Sequence, residues 1–123
     1  MLGIPPARII CTGDVVAYAG EPLETTDAIM NWGITTVMGN CEESLGSGAE
    51  DCGCGFEDGT ACDLLSGQWF AHANARLDTE SRAWMAGLPR RISFEVAGRK
   101  GAAIHGGWAG GPPAINRFLF ASQ

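Results

Sequence analysis

Two stretches, Arg8-Ile9-Ile10-Cys11-Thr12-Gly13-Asp14 and Thr35-Thr36-Val37-Met38-Gly39-Asn40-Cys41-Glu42, decide the fold. In each, a short β-branched run stops at a glycine, and a side chain able to hold a cation follows at once. Glycine lets the backbone turn sharply as it leaves a sheet, which presents the next side chain at the carboxyl end of the strand. Between the stretches, residues 24–31 predict a helix, with Glu21, Thr25 or Thr26 near its start and Gly33 as a left-handed stop. Strands over 8–12 and 34–38 would then run parallel through a right-handed crossover, and their glycine ends would meet at one rim. The first strand reads as apolar throughout, so burial of both its faces is expected, with Cys11 an inert core thiol.

Working outward, residues 41–46 predict a helix, with Asn40 as its cap ahead of Glu42 and Glu43. The glycine-rich run 46–55 reads as a mobile loop beside the rim. A helix from Thr60 or Asp63 to Arg76 is expected to gather Leu64, Leu65, Trp69 and Ala73 on one side, with His72 a surface or packing residue. A further helix runs from Asp78 or Thr79 to Gly87. From Arg91 the period becomes two: Ile92, Phe94 and Val96 alternate with Ser93 and Glu95, the pattern of a half-buried strand. Residues 97–101 form a hairpin turn, and 102–105 return antiparallel to His105-Gly106. The layout is α/β.

The composition fits one globular domain: 123 residues, 46% hydrophobic and 18% charged. A net charge of -6 argues against a nucleic-acid backbone as partner, which would require basic patches, and is compatible with divalent cations. No apolar run approaches the roughly 20 residues that span a bilayer, and no signal peptide opens the chain, so a cytoplasmic location and no membrane partner are expected. Five cysteines stand at 11, 41, 52, 54 and 62. Cys41, Cys52, Cys54 and Cys62 offer a thiophilic metal site without the paired C-x-x-C knuckles of a zinc ribbon, and reduced thiols are the default.

The two junctions, Gly13-Asp14 and Gly39-Asn40-Cys41-Glu42, resemble the G-D and G-N-H-D/E motifs of the calcineurin-like metallophosphoesterases. The apolar run ending in His105-Gly106, followed by the segment 115–120, is similar to the same family's bacterial members. The resemblance implies a four-layer α/β/β/α sandwich with a mixed sheet. It also implies hydrolysis of a phosphomonoester or phosphodiester, such as a nucleotide, at two divalent ions, plausibly Mn, Fe or Zn. On that pattern Asp14 bridges the ions, Asn40 gives a neutral oxygen and His105 a nitrogen. Glu42 orients a neighbour, and Gly13 and Gly39 support the turns.

Cys41 stands where the family has a histidine that assists the leaving group, and a thiol is a poor substitute as a donor. A non-catalytic scaffold of the same fold is therefore the alternative. The family's D-x-H and G-H-x-H motifs have no match in these residues. The resemblance thus implies that 1–123 is one partial domain, an internal portion of a longer chain, inert by itself and prone to self-association. Read without the resemblance, Gly-Asp after a strand is also a turn or a helix cap, and Asn40 a residue tolerant of turns.

Overall fold

The structure, a computed structural model, describes residues 3–106; the segment 115–120 lies outside the described residues. After one 3-10 turn at Pro6–Arg8, the order is β1 (Ile10–Cys11), α1 (Pro22–Trp32), β2 (Thr35–Thr36), α2 (Asn40–Ser47), α3 (Ala61–Arg76), α4 (Thr79–Ala86), β3 (Arg91–Val96) and β4 (Arg99–Ile104). This is an α/β chain of helices and small sheets. Among the described residues the strands form two separate pairs rather than one mixed sheet.

The first pair is parallel, with Ile10 opposite Thr35 and Cys11 opposite Thr36, and the Val37 N–H extends it by donating to the Cys11 carbonyl at 2.9 Å. Helix α1 is the crossover. Pro22 opens it, where a missing N–H costs nothing, and Gly33 closes it at φ 65°. Strand β1 is much shorter than the expected 8–12, because Pro6 draws Arg8 into the 3-10 turn. Ile10 and Cys11 are only half-buried, so the expected two-sided burial and core thiol are corrected: among the described residues β1 has a single strand neighbour.

The second pair is an antiparallel hairpin, in register from Arg91 opposite Ile104 to Val96 opposite Arg99. Ala97 and Gly98 alone make its turn, both at positive φ (50° and 75°), which matches the twist of a two-residue hairpin and sets β4 back to Arg99. Ile92 is half-buried while Phe94 and Val96 are exposed, so the apolar face of β3 has less cover than the alternation predicts.

The core lies among the helices. Val16, Cys41, Leu45, Trp69, Phe70, Ala73, Leu77 and Met85 form one buried cluster. The Thr60 hydroxyl caps α3 through the Asp63 N–H at 3.2 Å, and the Asp78 carboxylate caps α4 through the Ser81 N–H at 2.8 Å. That bond holds the Asp78 carboxyl below its usual range. On α3 the buried side is Ser66, Trp69, Phe70 and Ala73. Leu64 and Leu65 are exposed, contrary to the expected stripe: at about 100° per residue, Leu64 falls opposite Ser66, and Leu65 sits a quarter-turn off the buried face. His72 holds the Gly20 carbonyl at 2.8 Å, which fastens α3 to the loop before α1. No helix of the described residues is long and apolar enough to cross a membrane.

Candidate cation site

The carboxyl ends of β1 and β2 interlock through their glycines. Gly13 has φ 97°, and a Cβ there would stand 2.7 Å from the Gly39 nitrogen and 2.8 Å from the Val37 oxygen. A Cβ on Gly39 would overlap the Asp14 carboxylate and stand 2.7 Å from the Asp14 nitrogen. Neither position has room for a side chain, which is why both runs end in glycine.

Two carboxylates lock the junction reciprocally. Glu42, with no exposed surface, accepts the Asp14 N–H at 2.8 Å, the Val15 N–H at 2.7 Å and the Gly39 N–H at 2.8 Å. Asp14 in return accepts the Cys41 N–H at 3.1 Å through Oδ1. The first turn of α2 is thus capped by Asp14, from a different loop, and by its own Glu42, whereas Asn40, the expected cap, is the first residue inside the helix. Glu42 also holds Asp14 at φ 53°, a left-handed conformation that a non-glycine residue adopts at a cost.

With Oδ1 committed to α2, Asp14 Oδ2 faces outward and lies 3.4 Å from His105 Nε2. His105 stands just past β4, and its Nδ1 lies 2.7 Å from the Thr12 carbonyl. A carbonyl only accepts, so Nδ1 carries the hydrogen, and in a neutral ring the Nε2 lone pair then faces the site. Asn40 Nδ2 donates to the Cys52 carbonyl at 3.0 Å, which leaves Oδ1 on the other side, 3.2 Å from the same Nε2. Three electron-pair donors from three parts of the chain therefore face one another. Only a proton on Nε2 or a bound cation reconciles them. Ligands about 2.1 Å from an ion and at right angles to one another stand about 3 Å apart, so the spacing suits a small divalent cation.

Asp14, Asn40 and His105, grouped in the sequence by the motif resemblance, are thus brought together. Cys41 lies behind them, its Sγ receiving Asn40 Nδ2 at 3.7 Å, and does not face the same point. Its side chain has no exposed surface and belongs to the helical core, and burial, followed by the nearby Asp14 charge, pushes the thiol well above its usual range. Among the described residues, Glu42 hydrogen-bonds only to backbone N–H groups. Cys52 and Cys54 are joined in a disulfide, with Cα atoms 5.2 Å apart, while Cys11, Cys41 and Cys62 are free. This corrects the expectation of reduced thiols and breaks up the cysteine group suggested for a thiophilic metal. Among the described residues, no cluster of three or more His, Cys, Asp or Glu side chains is placed to hold a metal; the set found here is two such groups and an amide.

The carbonyls of Thr12 and Cys52 orient His105 and Asn40, and sequence reasoning missed both, because a backbone carbonyl has no residue signature. A wide, open depression on the hairpin, lined by Arg91, Ser93, Glu95 and Lys100, shares no residue with the site. No family model, curated protein or solved structure matches the chain.

Proposed function

We propose that Asp14, Asn40 and His105 form part of a divalent-cation site in a metal-dependent phosphoesterase, of the kind the Gly13-Asp14 and Gly39-Asn40-Cys41-Glu42 motifs suggest. The observation that carries this reading is the convergence of Asp14 Oδ2 and Asn40 Oδ1 on His105 Nε2, at 3.4 and 3.2 Å. Phosphomonoesters or phosphodiesters, nucleotides among them, are the substrate class, Mn, Fe or Zn the ions, and the four-layer sandwich with one mixed sheet the complete fold. A cytoplasmic setting goes with that reading.

The residues present divide the work. Asp14 supplies negative charge through Oδ2 and stays aimed because Oδ1 is tied to the Cys41 N–H. His105 is held in one tautomer by Thr12, and Asn40 offers oxygen rather than nitrogen because of Cys52. Divalent ions bound there supply Lewis-acid polarisation and a lowered pKa for water. The rest of a two-ion ligand set has no counterpart among the matched motifs.

Cys41 favours a second reading. A thiol in the core, held protonated by burial, cannot take the proton-donating place that the family gives to histidine, so a cation-binding scaffold without turnover also fits.

Mn²⁺ titration by calorimetry, with Asp14→Asn and His105→Ala, tests the site. Either substitution is expected to weaken binding at least tenfold, and unchanged affinity in both would remove these residues from any cation site. Hydrolysis of bis-p-nitrophenyl phosphate, by a chain extended with its flanking coding sequence, separates the readings. Metal-dependent turnover lost in Asp14→Asn supports the enzyme, and cation binding without turnover supports the scaffold.

A further inference from the structure

An asparagine amide has a right end and a wrong end for a cation. With Oδ1 toward His105, Asn40 is a ligand. Turned over, its NH2 would donate to the Nε2 lone pair, and two donors would be lost at once. The choice is made by the acceptors on the far side, chiefly the Cys52 carbonyl, which receives Nδ2 at 3.0 Å, with Cys41 Sγ at 3.7 Å and Cys54 Sγ at 3.8 Å as longer partners. That carbonyl is itself held in place from two directions. The Cys52 side chain is buried in the helical core, and its sulfur is bonded to Cys54 two residues on. Gly53 between them takes the left-handed conformation, φ 65°, and donates its N–H to Asp51 at 2.8 Å. Cys54 is half-buried, so a reductant can reach the bridge from the solvent side.

We propose that the Cys52–Cys54 disulfide is a positioning element for Asn40, and that its thiol–disulfide state sets the cation affinity of the Asp14–Asn40–His105 site. The inference rests on the cation reading of that site. The reductant is a dithiol. Its thiolate attacks Cys54 Sγ, the S–S bond breaks, and Cys52 leaves as a thiolate that takes a proton. The reductant's second thiol then closes on the mixed disulfide and releases Cys54, so two electrons and two protons pass from the dithiol, which ends as a disulfide. With the short ring open, residues 52–54 regain backbone freedom and the Cys52 carbonyl no longer dictates the amide.

The experiment is a Mn²⁺ titration of the whole chain, oxidised and after dithiothreitol treatment and desalting. Mn²⁺ is used because it prefers oxygen and nitrogen donors to thiols. Reduction is expected to weaken binding by about 10- to 100-fold, the usual effect of losing an outer partner of a ligand, and Cys54→Ser to bind as the reduced chain does. Asn40→Asp separates orientation from general loosening. A carboxylate has no wrong end, so its affinity should no longer depend on redox state, and an undiminished drop in that variant would overturn the proposal. Equal affinities of the oxidised and reduced wild-type chain would overturn it too, with the cation site left standing. If the oxidised chain fails to bind Mn²⁺ at all, the cation reading falls, and nitrogen-15 spectra of the metal-free protein decide the positioning claim. A shift of the Asn40 side-chain amide on reduction supports it, and an unmoved amide refutes it.

Discussion

The glycine junction and the β3–β4 hairpin both announce themselves in the sequence, yet they are held by different means. At the junction, Gly13 and Gly39 touch, Glu42 gathers three N–H groups from two loops, and Asp14 answers by capping α2. The hairpin is held to the rest of the described chain near its root. The Met38 N–H donates to the Pro89 carbonyl, an exposed ion pair joins Arg90 to Glu43, and His105 reaches Thr12. Its far end, with Phe94 and Val96, is exposed. Local pattern is enough to build either element. The junction and the hairpin's root, but not its far end, add long-range bonds that fix side chains to within hydrogen-bonding tolerance, and a site needs that.

The contrast breaks most visibly at Glu42. Glu42→Ala leaves three N–H groups without their acceptor, and an unsatisfied donor costs about 1–3 kcal/mol each when buried. We expect a loss of about 3–5 kcal/mol in urea unfolding, enough to unfold a marginal domain. A loss under about 1 kcal/mol would mean that water replaces the carboxylate and that the junction is no tighter than the hairpin.

Glycines give the next comparison. Gly13→Ala meets backbone atoms at 2.7 and 2.8 Å on top of its positive φ, whereas Gly98 in the hairpin turn has positive φ but nothing within 4 Å. The first is expected to cost about 2–4 kcal/mol and the second about 1 kcal/mol. Equal midpoint shifts for the two variants would show that backbone conformation, not the interlock, sets the requirement.

The same distinction explains what was legible beforehand. The β-α-β unit, the Gly33 stop and the Thr60 cap were readable because the signal lies within a few residues. So were Asp14, Asn40 and His105 as candidates, since each follows an apolar run. The roles of Glu42 as a three-way acceptor and of Asp14 as a cap for α2 were not, because both span 27 or 28 residues of sequence. The outward turn of Leu64 and Leu65, and the thin cover of β1, depend on which neighbours arrive, and periodicity does not encode that. The Cys52–Cys54 bridge was obscured because its one-residue spacing matches no familiar metal or disulfide pattern.

Cys41 sharpens the comparison on the junction side. Its folded pKa lies above that of the unfolded chain, chiefly through burial. The sign follows: the contribution is complete below the ordinary thiol range, about 8.5, and is lost as pH rises from there toward the folded value. From about pH 8.5 upward the wild type should lose up to about 1.4 kcal/mol per pH unit more than Cys41→Ala does. Parallel urea midpoints across that range would show the thiol to be accessible. Iodoacetamide at pH 8 offers a second check, since exposed Cys62 should be alkylated while Cys41 is spared until the chain unfolds.

The smallest effect is expected at the far end of the hairpin. Val96 is 65% exposed and sits opposite Arg99 beside the turn, so its methyl groups bury little area, and threonine keeps the β-branched shape that suits a strand. Val96→Thr should therefore move stability by no more than about 0.5 kcal/mol, the range of ordinary surface changes. It should also leave Mn²⁺ affinity alone, because His105 is fixed at the opposite end of the hairpin by Thr12. A loss above about 1.5 kcal/mol would show that the apolar face of β3 is covered in solution, and the hairpin would then belong with the junction as a packed part of the molecule.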